Sequence, residues 1–137
     1  MDGIKWIGSP NHYNGRLGYK VTRITLHIMA GYLTGTDSLF QNPNRQASST
    51  YGIGPNGEIH QYVAESDAPW TDSNHASNCQ TISIEHQGGM DFIPCTQACH
   101  DADHPRACGA NKGAGGNLNG RYGSSPRMRG KPHQRVM

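Results

Sequence analysis

Residues 21–31, VTRITLHIMAG, decide the fold because large aliphatic side chains occupy every second position, at Ile24, Leu26 and Ile28. This period of two is typical of a β-strand with one buried face and one open face. The polar side chains between them include His27. The pattern therefore predicts a strand in which His27 points away from the aliphatic face.

A second stretch, TISIEH at residues 81–86, repeats this arrangement. Ile82 and Ile84 alternate with Ser83 and Glu85, so an aliphatic face again lies opposite a polar one. If the two strands share a sheet, the imidazole of His27 and the carboxylate of Glu85 can share a site.

Other local patterns predict a hairpin, a short helix and a long loop. Asn56-Gly57 separates two β-prone runs, which indicates a β-hairpin over residues 48–63. The run TDSLF at residues 36–40 predicts a short helix with Thr36 or Asp37 as its N-cap. The polar residues 64–80 read as a long loop, and His60 as a surface residue on the hairpin.

The composition fits one domain with a modest core. The chain has 137 residues, of which 34% are hydrophobic and 18 are glycine. Residues 1–104 hold all ten acidic and five of the twelve basic residues, whereas residues 105–137 hold seven basic and no acidic residues. We find neither a secretory signal pattern nor an apolar run of the roughly 20 residues that span a bilayer. The four cysteines do not indicate a disulfide scaffold.

Four blocks of the sequence resemble the zinc-dependent N-acetylmuramoyl-L-alanine amidase family, type 2, whose fold is shared with peptidoglycan recognition proteins and many phage endolysins. The blocks are ITLHIMAG (24–31), ASSTYGIGPNGEIHQYV (47–63), APW (68–70) and TISIEHQGG (81–89). The resemblance covers about residues 1–95. It implies an α/β fold with a mixed β-sheet flanked by helices, and hydrolysis of the amide between N-acetylmuramic acid and L-alanine in peptidoglycan.

The resemblance also implies roles for individual residues. His27 matches a zinc ligand of the family, and Glu85 matches the general base that activates a zinc-bound water. Some relatives use a hairpin tyrosine instead, but Ser49 occupies that position here. Without the resemblance, His27 would read as a surface or loop-covered histidine and Glu85 as a solvated glutamate on an exposed strand face.

Two aromatic residues are candidates for substrate binding. Trp70 lies in the loop beside the expected groove, where its ring could stack on a sugar or peptide or cover the core. Tyr51 alternates with Ile53 on one hairpin face, so its ring belongs either to the core or to a substrate contact.

The resemblance fails after residue 95. The family has a carboxy-terminal helix and two further zinc ligands, one of them in a block with a Pro-Gly dipeptide, and the chain contains no Pro-Gly. Residues 96–137 read as an atypical, basic, glycine-rich tail, disordered or foreign to the family through a frameshift, truncation or rearrangement. Replacement ligands would have to come from Cys95, Cys99, His100, His104 and Cys108.

The leading interpretation is a zinc-dependent amidase of endolysin type, made in the cytoplasm, acting on the cell wall as a monomer, and inactive if the late ligands are missing. The alternative is a non-catalytic peptidoglycan-binding module. Nucleic-acid binding through the basic tail is disfavoured because Tyr122 is its only aromatic residue, and we expect no membrane partner.

Overall fold

The structure, a computed structural model, describes residues 3–102 and 122–124. Its central sheet has six strands in the order β1-β5-β4-β7-β3-β8. These strands are β1 (Ile4–Trp6), β3 (Arg23–Ile28), β4 (Tyr51–Ile53), β5 (Ile59–Gln61), β7 (Thr81–His86) and β8 (Tyr122–Ser124). Two short strands, β2 (His12–Tyr13) and β6 (Ala68–Pro69), pair antiparallel in a second sheet.

The two strands predicted from the period of two are neighbours in the sheet. β3 pairs in parallel with β7, and His27 is the register partner of Glu85. β4 pairs in parallel with β7 but antiparallel with β5, so the sheet is mixed. Helical segments flank it, which confirms the predicted fold class.

The predicted hairpin is confirmed. β4 and β5 are antiparallel, with Tyr51 opposite Gln61 and Ile53 opposite Ile59. The turn between them needs Gly57, whose φ of 82° lies in the left-handed region.

The first helix begins earlier than predicted. Helix α1 spans Leu33–Gln41, and its N-cap residue, Tyr32, makes no side-chain capping bond. Instead the Leu33 N–H donates to Oε1 of Gln87, 2.9 Å away. Because this distant glutamine satisfies a first-turn donor, neither Thr36 nor Asp37 is needed as a cap.

The predicted loop over residues 64–80 was wrong in part, since it contains β6 and helix α2 (His75–Gln80). Asn74 is the N-cap of α2, and its side chain accepts a hydrogen bond from the Ser77 N–H at 3.0 Å. A local asparagine cap thus begins this helix. The helix is too short to show a hydrophobic periodicity in the sequence.

The sheet buries side chains on both faces. On one face Ile84, Tyr51 and Ile53 pack with Cys99, which lies in a helical segment that includes residues 97–102. On the other face α1 contributes Phe40 to a cluster with Tyr62 and Val63.

The packed fold therefore extends past the predicted domain boundary at residue 95, because Cys99 is fully buried. Strand β8, which also falls in the predicted tail, pairs in parallel with β3. The other residues of the predicted tail lie outside the described ranges. In the described part of the chain, no helix has the length and apolar character required to cross a membrane.

We predict that Gly52→Ala lowers the free energy of unfolding by about 1–3 kcal/mol, because overpacking a close contact forces its neighbours to shift. A Cβ at Gly52 would lie 2.7 Å from the Tyr62 hydroxyl and 3.1 Å from Leu33 Cδ1. Gly35→Ala is the matched control, since a Cβ there meets nothing within 4 Å and alanine favours the helix. Urea unfolding would contradict this packing if both variants were equally stable.

Candidate functional site

His27 and Glu85 lie side by side in the interior of the sheet. They are register partners on adjacent strands, and only 2% of His27 and 1% of Glu85 are exposed. The prediction that the two side chains share one location is therefore confirmed. The prediction of an open face at His27 was wrong, because residues that follow β6 cover it.

Thr71 and Asp72 form this cover. Nε2 of His27 lies 3.0 Å from Oγ1 of Thr71 and 3.4 Å from Oδ1 of Asp72. No sequence pattern indicated Asp72, since it lies in the stretch predicted to be a loop. An imidazole and a carboxylate in this arrangement form a buried ion pair when His27 is protonated.

Helix α2 holds these two residues in place. Oδ1 of Asn78 accepts hydrogen bonds from the backbone N–H groups of Thr71, at 3.1 Å, and Asp72, at 2.7 Å. The Ser77 hydroxyl donates to Oδ2 of Asp72. Two side chains of one short helix therefore fix the backbone and the carboxylate that face His27.

The surroundings of Asp72 change its acidity. Burial alone would raise its pKa, but hydrogen bonds from His27 and Ser77, together with the nearby positive charges of His27 and Arg23, lower the pKa below its ordinary value. Since hydrogen bonds to the charged form favour that form, Asp72 is a carboxylate at neutral pH.

The described residues do not complete a zinc site. A catalytic zinc ordinarily has three protein ligands and a water, whereas the donors brought together here are His27 Nε2 and Asp72 Oδ1. Within residues 3–102 and 122–124, no group of three or more His, Cys, Asp or Glu side chains is placed to hold a metal ion. We therefore derive no chemical step through zinc from this geometry.

The candidate replacement ligands that lie within the described residues, Cys95, Cys99 and His100, are on the other face of the sheet. Cys99 packs in the core and its Sγ donates to the carbonyl of Ile53 at 3.5 Å. The ring of His100 lies 6.1 Å from the ring of His86. His86 follows Glu85 in β7, so its side chain lies on the opposite face of the sheet from Glu85. His104 and Cys108 lie outside the described residues.

Tyr51 does not lie on the face that carries His27 and Glu85. Its register partner is Ile84, which precedes Glu85 and therefore points to the opposite face of the sheet. Tyr51 lies in the core and is only 4% exposed. Its hydroxyl donates to Oε1 of Glu65 at 2.6 Å. Of the two roles predicted for Tyr51, the structure therefore shows the position in the core, not the substrate contact.

Trp70 lies next to the site and is partly buried. Its backbone N–H donates to the Ser48 hydroxyl at 3.1 Å, and its carbonyl accepts from the Ser48 N–H at 3.0 Å. Its indole meets the ring of Tyr13 edge to face at 5.6 Å. Ser48 thus holds the backbone of Trp70, one residue before Thr71.

His60, predicted as a surface residue on the hairpin, is partly buried. Its Nδ1 lies 2.9 Å from Oδ1 of Asp37 in α1, and the same oxygen accepts a hydrogen bond from the Tyr62 hydroxyl. The pair connects the hairpin to α1 and lies apart from His27.

Comparison with known proteins identifies similar sequences and folds. The sequence profile of the N-acetylmuramoyl-L-alanine amidase family matches residues 17–107. N-acetylmuramoyl-L-alanine amidase A of Achromobacter lyticus is 40% identical over 70 residues, which make up 50% of this chain and 38% of that protein. The match thus spans well under half of the relative.

Two solved structures align with this one. A selenomethionine derivative of AmpD aligns with a TM-score of 0.64 at 18% identity, covering 81% of this chain and 75% of AmpD. A mutant endolysin from Bacillus subtilis aligns with a TM-score of 0.44 at 22% identity, covering 64% and 62% of the two chains. The first of these alignments supports the amidase fold.

We predict that Asp72→Asn destabilises the protein at pH 7 by about 1–2 kcal/mol, because it removes a charged hydrogen-bond acceptor. A carboxyl group whose pKa is lowered in the folded state contributes stability above its unfolded pKa of about 3.9, and this contribution is lost as the pH falls through the folded value. The difference between wild type and variant should therefore shrink in acid.

Urea unfolding at pH 7 and at about pH 3 measures this difference. The control is Asp91→Asn, at an exposed position, which should leave stability at pH 7 nearly unchanged. A difference for Asp72→Asn that stayed constant with pH would contradict the assigned contacts.

Proposed function

The chain belongs to the N-acetylmuramoyl-L-alanine amidase family, and on that premise we propose that it hydrolyses the amide between N-acetylmuramic acid and L-alanine in peptidoglycan, as an endolysin-like cell-wall hydrolase. The observation that carries the proposal is the register of β3 and β7, which sets Glu85 beside His27. A buried carboxylate next to an imidazole suits acid–base chemistry at an amide.

In this proposal Glu85 is the general base. Its carboxylate accepts a proton from the water that attacks the amide carbonyl, and it returns the proton to the nitrogen of L-alanine as the C–N bond breaks. Its burial keeps bulk water away from the reacting groups, which strengthens electrostatic interactions there. Trp70 is the proposed substrate contact, because it directly precedes Thr71, which covers His27, and its backbone bonds to Ser48.

Zinc is the cofactor of the proposal because the resemblance to the family implies it, with His27 as one ligand. His27 Nε2 would hold the zinc, and Oδ1 of Asp72, 3.4 Å from that nitrogen, is the carboxylate oxygen beside it. When bound, zinc would polarise the carbonyl and acidify a water.

Metal analysis tests the cofactor. The purified chain is expected to hold zinc in stoichiometric amount, and His27→Ala is expected to lose it. His60→Ala is the matched control, since that imidazole pairs with Asp37 instead, and it should retain the zinc. Absence of zinc from the wild-type chain would contradict the cofactor assignment and leave the fold standing.

We predict that Glu85→Gln lowers the rate of amide hydrolysis by about 10²- to 10⁴-fold, the usual contribution of a general base. The assay counts new L-alanine amino termini released from purified peptidoglycan. Glu58→Gln, an exposed glutamate at the hairpin turn, is the matched control and should retain wild-type activity. Equal activity of Glu85→Gln and wild type would overturn the assignment.

A second candidate function is a peptidoglycan-binding module without catalysis. The described residues favour this function because they bring together one imidazole and one carboxylate, and not the three protein ligands of a catalytic zinc. Co-sedimentation with cell walls separates the two functions: binding without release of amino termini would support the module, and release would support the amidase.

A further inference from the structure

An open cleft of about 340 Å³ lies beside the candidate site. Its lining combines three rings with amide side chains, contributed by Tyr13, Trp70, His75, Gln46, Asn74 and Asn78. We propose that this cleft binds an N-acetylhexosamine ring of the glycan strand, adjacent to the sugar whose amide is cleaved. The inference rests on the proposed function, which it extends from the cleaved bond to the neighbouring sugar.

The rings form a continuous aromatic wall. Tyr13 meets Trp70 with ring centroids 5.6 Å apart, and meets His75 with centroids 4.6 Å apart. A pyranose ring presents one face of C–H groups, and burying that apolar face against an aromatic wall is favourable. These aromatic side chains therefore offer an apolar surface to one face of a sugar ring.

The polar part of the lining is neutral. Gln46 offers an amide group that can donate to and accept from hydroxyl and acetamide groups. Asn74 and Asn78 accept hydrogen bonds from backbone N–H groups at Oδ1, so they offer the ligand their side-chain NH₂ donors. None of the residues that line the cleft is Lys, Arg, Asp or Glu. A stem peptide carries carboxylates that would lose hydration there without a charged partner, so the lining favours the uncharged sugar over the peptide.

The cleft and the site share a wall. Trp70 precedes Thr71, whose hydroxyl oxygen lies 3.0 Å from Nε2 of His27. Asn78 lines the cleft and also holds the backbone of Thr71 and Asp72. The cleft therefore lies directly beside the residues that cover His27.

The wall is built before any ligand arrives. Tyr13 belongs to β2 and pairs with Ala68 of β6, while both backbone groups of Trp70 bond to Ser48. Because these backbone bonds are present without a ligand, the backbone of Tyr13 and Trp70 loses little conformational entropy on binding.

Tryptophan fluorescence tests the cleft directly. The chain has two tryptophans, and Trp6 is 59% exposed on an edge strand, so Trp6→Phe leaves Trp70 as the single reporter. In that background, a tetramer of β-1,4-linked N-acetylglucosamine should change the Trp70 emission saturably. Tyr13→Ala and His75→Ala should each weaken the affinity about 2- to 10-fold, the range expected for one lost aromatic contact.

Circular dichroism is used to check that each variant is folded. If Tyr13→Ala does not fold, His75→Ala alone tests the aromatic wall. Phe92→Ala, at a 72% exposed ring outside the cleft, is the matched control and should bind as the parent does. The proposal is overturned if millimolar oligosaccharide leaves the emission unchanged, if Phe92→Ala weakens binding as much as the cleft variants, or if the free stem peptide saturates the cleft instead.

A separate assay keeps this result distinct from the proposed function. Hydrolysis of N-acetylmuramoyl-L-alanyl-D-isoglutamine, which contains a single sugar, measures chemistry at His27 and Glu85 without a neighbouring hexosamine. Lack of hydrolysis with intact oligosaccharide binding would count against the amidase and not against the cleft. Hydrolysis without oligosaccharide binding would count against the cleft alone.

Discussion

The parallel pairing of β3 with β7 is the constraint on which the rest of the structure depends. Its register sets His27 opposite Glu85, and a slip of one residue would place Ile84 or His86 there. The aliphatic side chains on the other face hold that register, because Ile84 packs with Ile24, Leu26 and Cys99. The position of the polar pair thus follows from hydrophobic packing on the opposite face.

Burying the polar face requires polar partners, and the segment from Trp70 to Asn78 supplies them. Thr71 and Asp72 face His27, while Asn78 satisfies their backbone N–H groups. Buried polar groups are rarely left without hydrogen bonds, so α2 is needed although it is only six residues long. The same segment brings Trp70 toward the cleft, which connects the structural support of the site to its proposed recognition of the glycan.

Patterns that repeat within a few residues could be predicted from the sequence. The period of two identified β3 and β7, and Gly57 identified the hairpin. Contacts between distant segments could not be predicted in this way: Gln87 satisfies the start of α1, and Asp72 reaches His27 across 45 positions of chain. The face occupied by Tyr51 depended on its pairing with Ile84, which alternation within the hairpin does not determine. Cys99 enters the core from a segment without aliphatic periodicity.

The most direct test of the central claim, that His27 and Glu85 act as one site, is a double-mutant cycle on peptidoglycan amide hydrolysis. The values of kcat/KM are compared for wild type, His27→Ala, Glu85→Gln and the double variant. If the two residues serve one reaction centre, the double variant should be no less active than the worse single variant, because residues that act together give non-additive losses. Losses that simply multiplied would show two independent contributions and contradict the account.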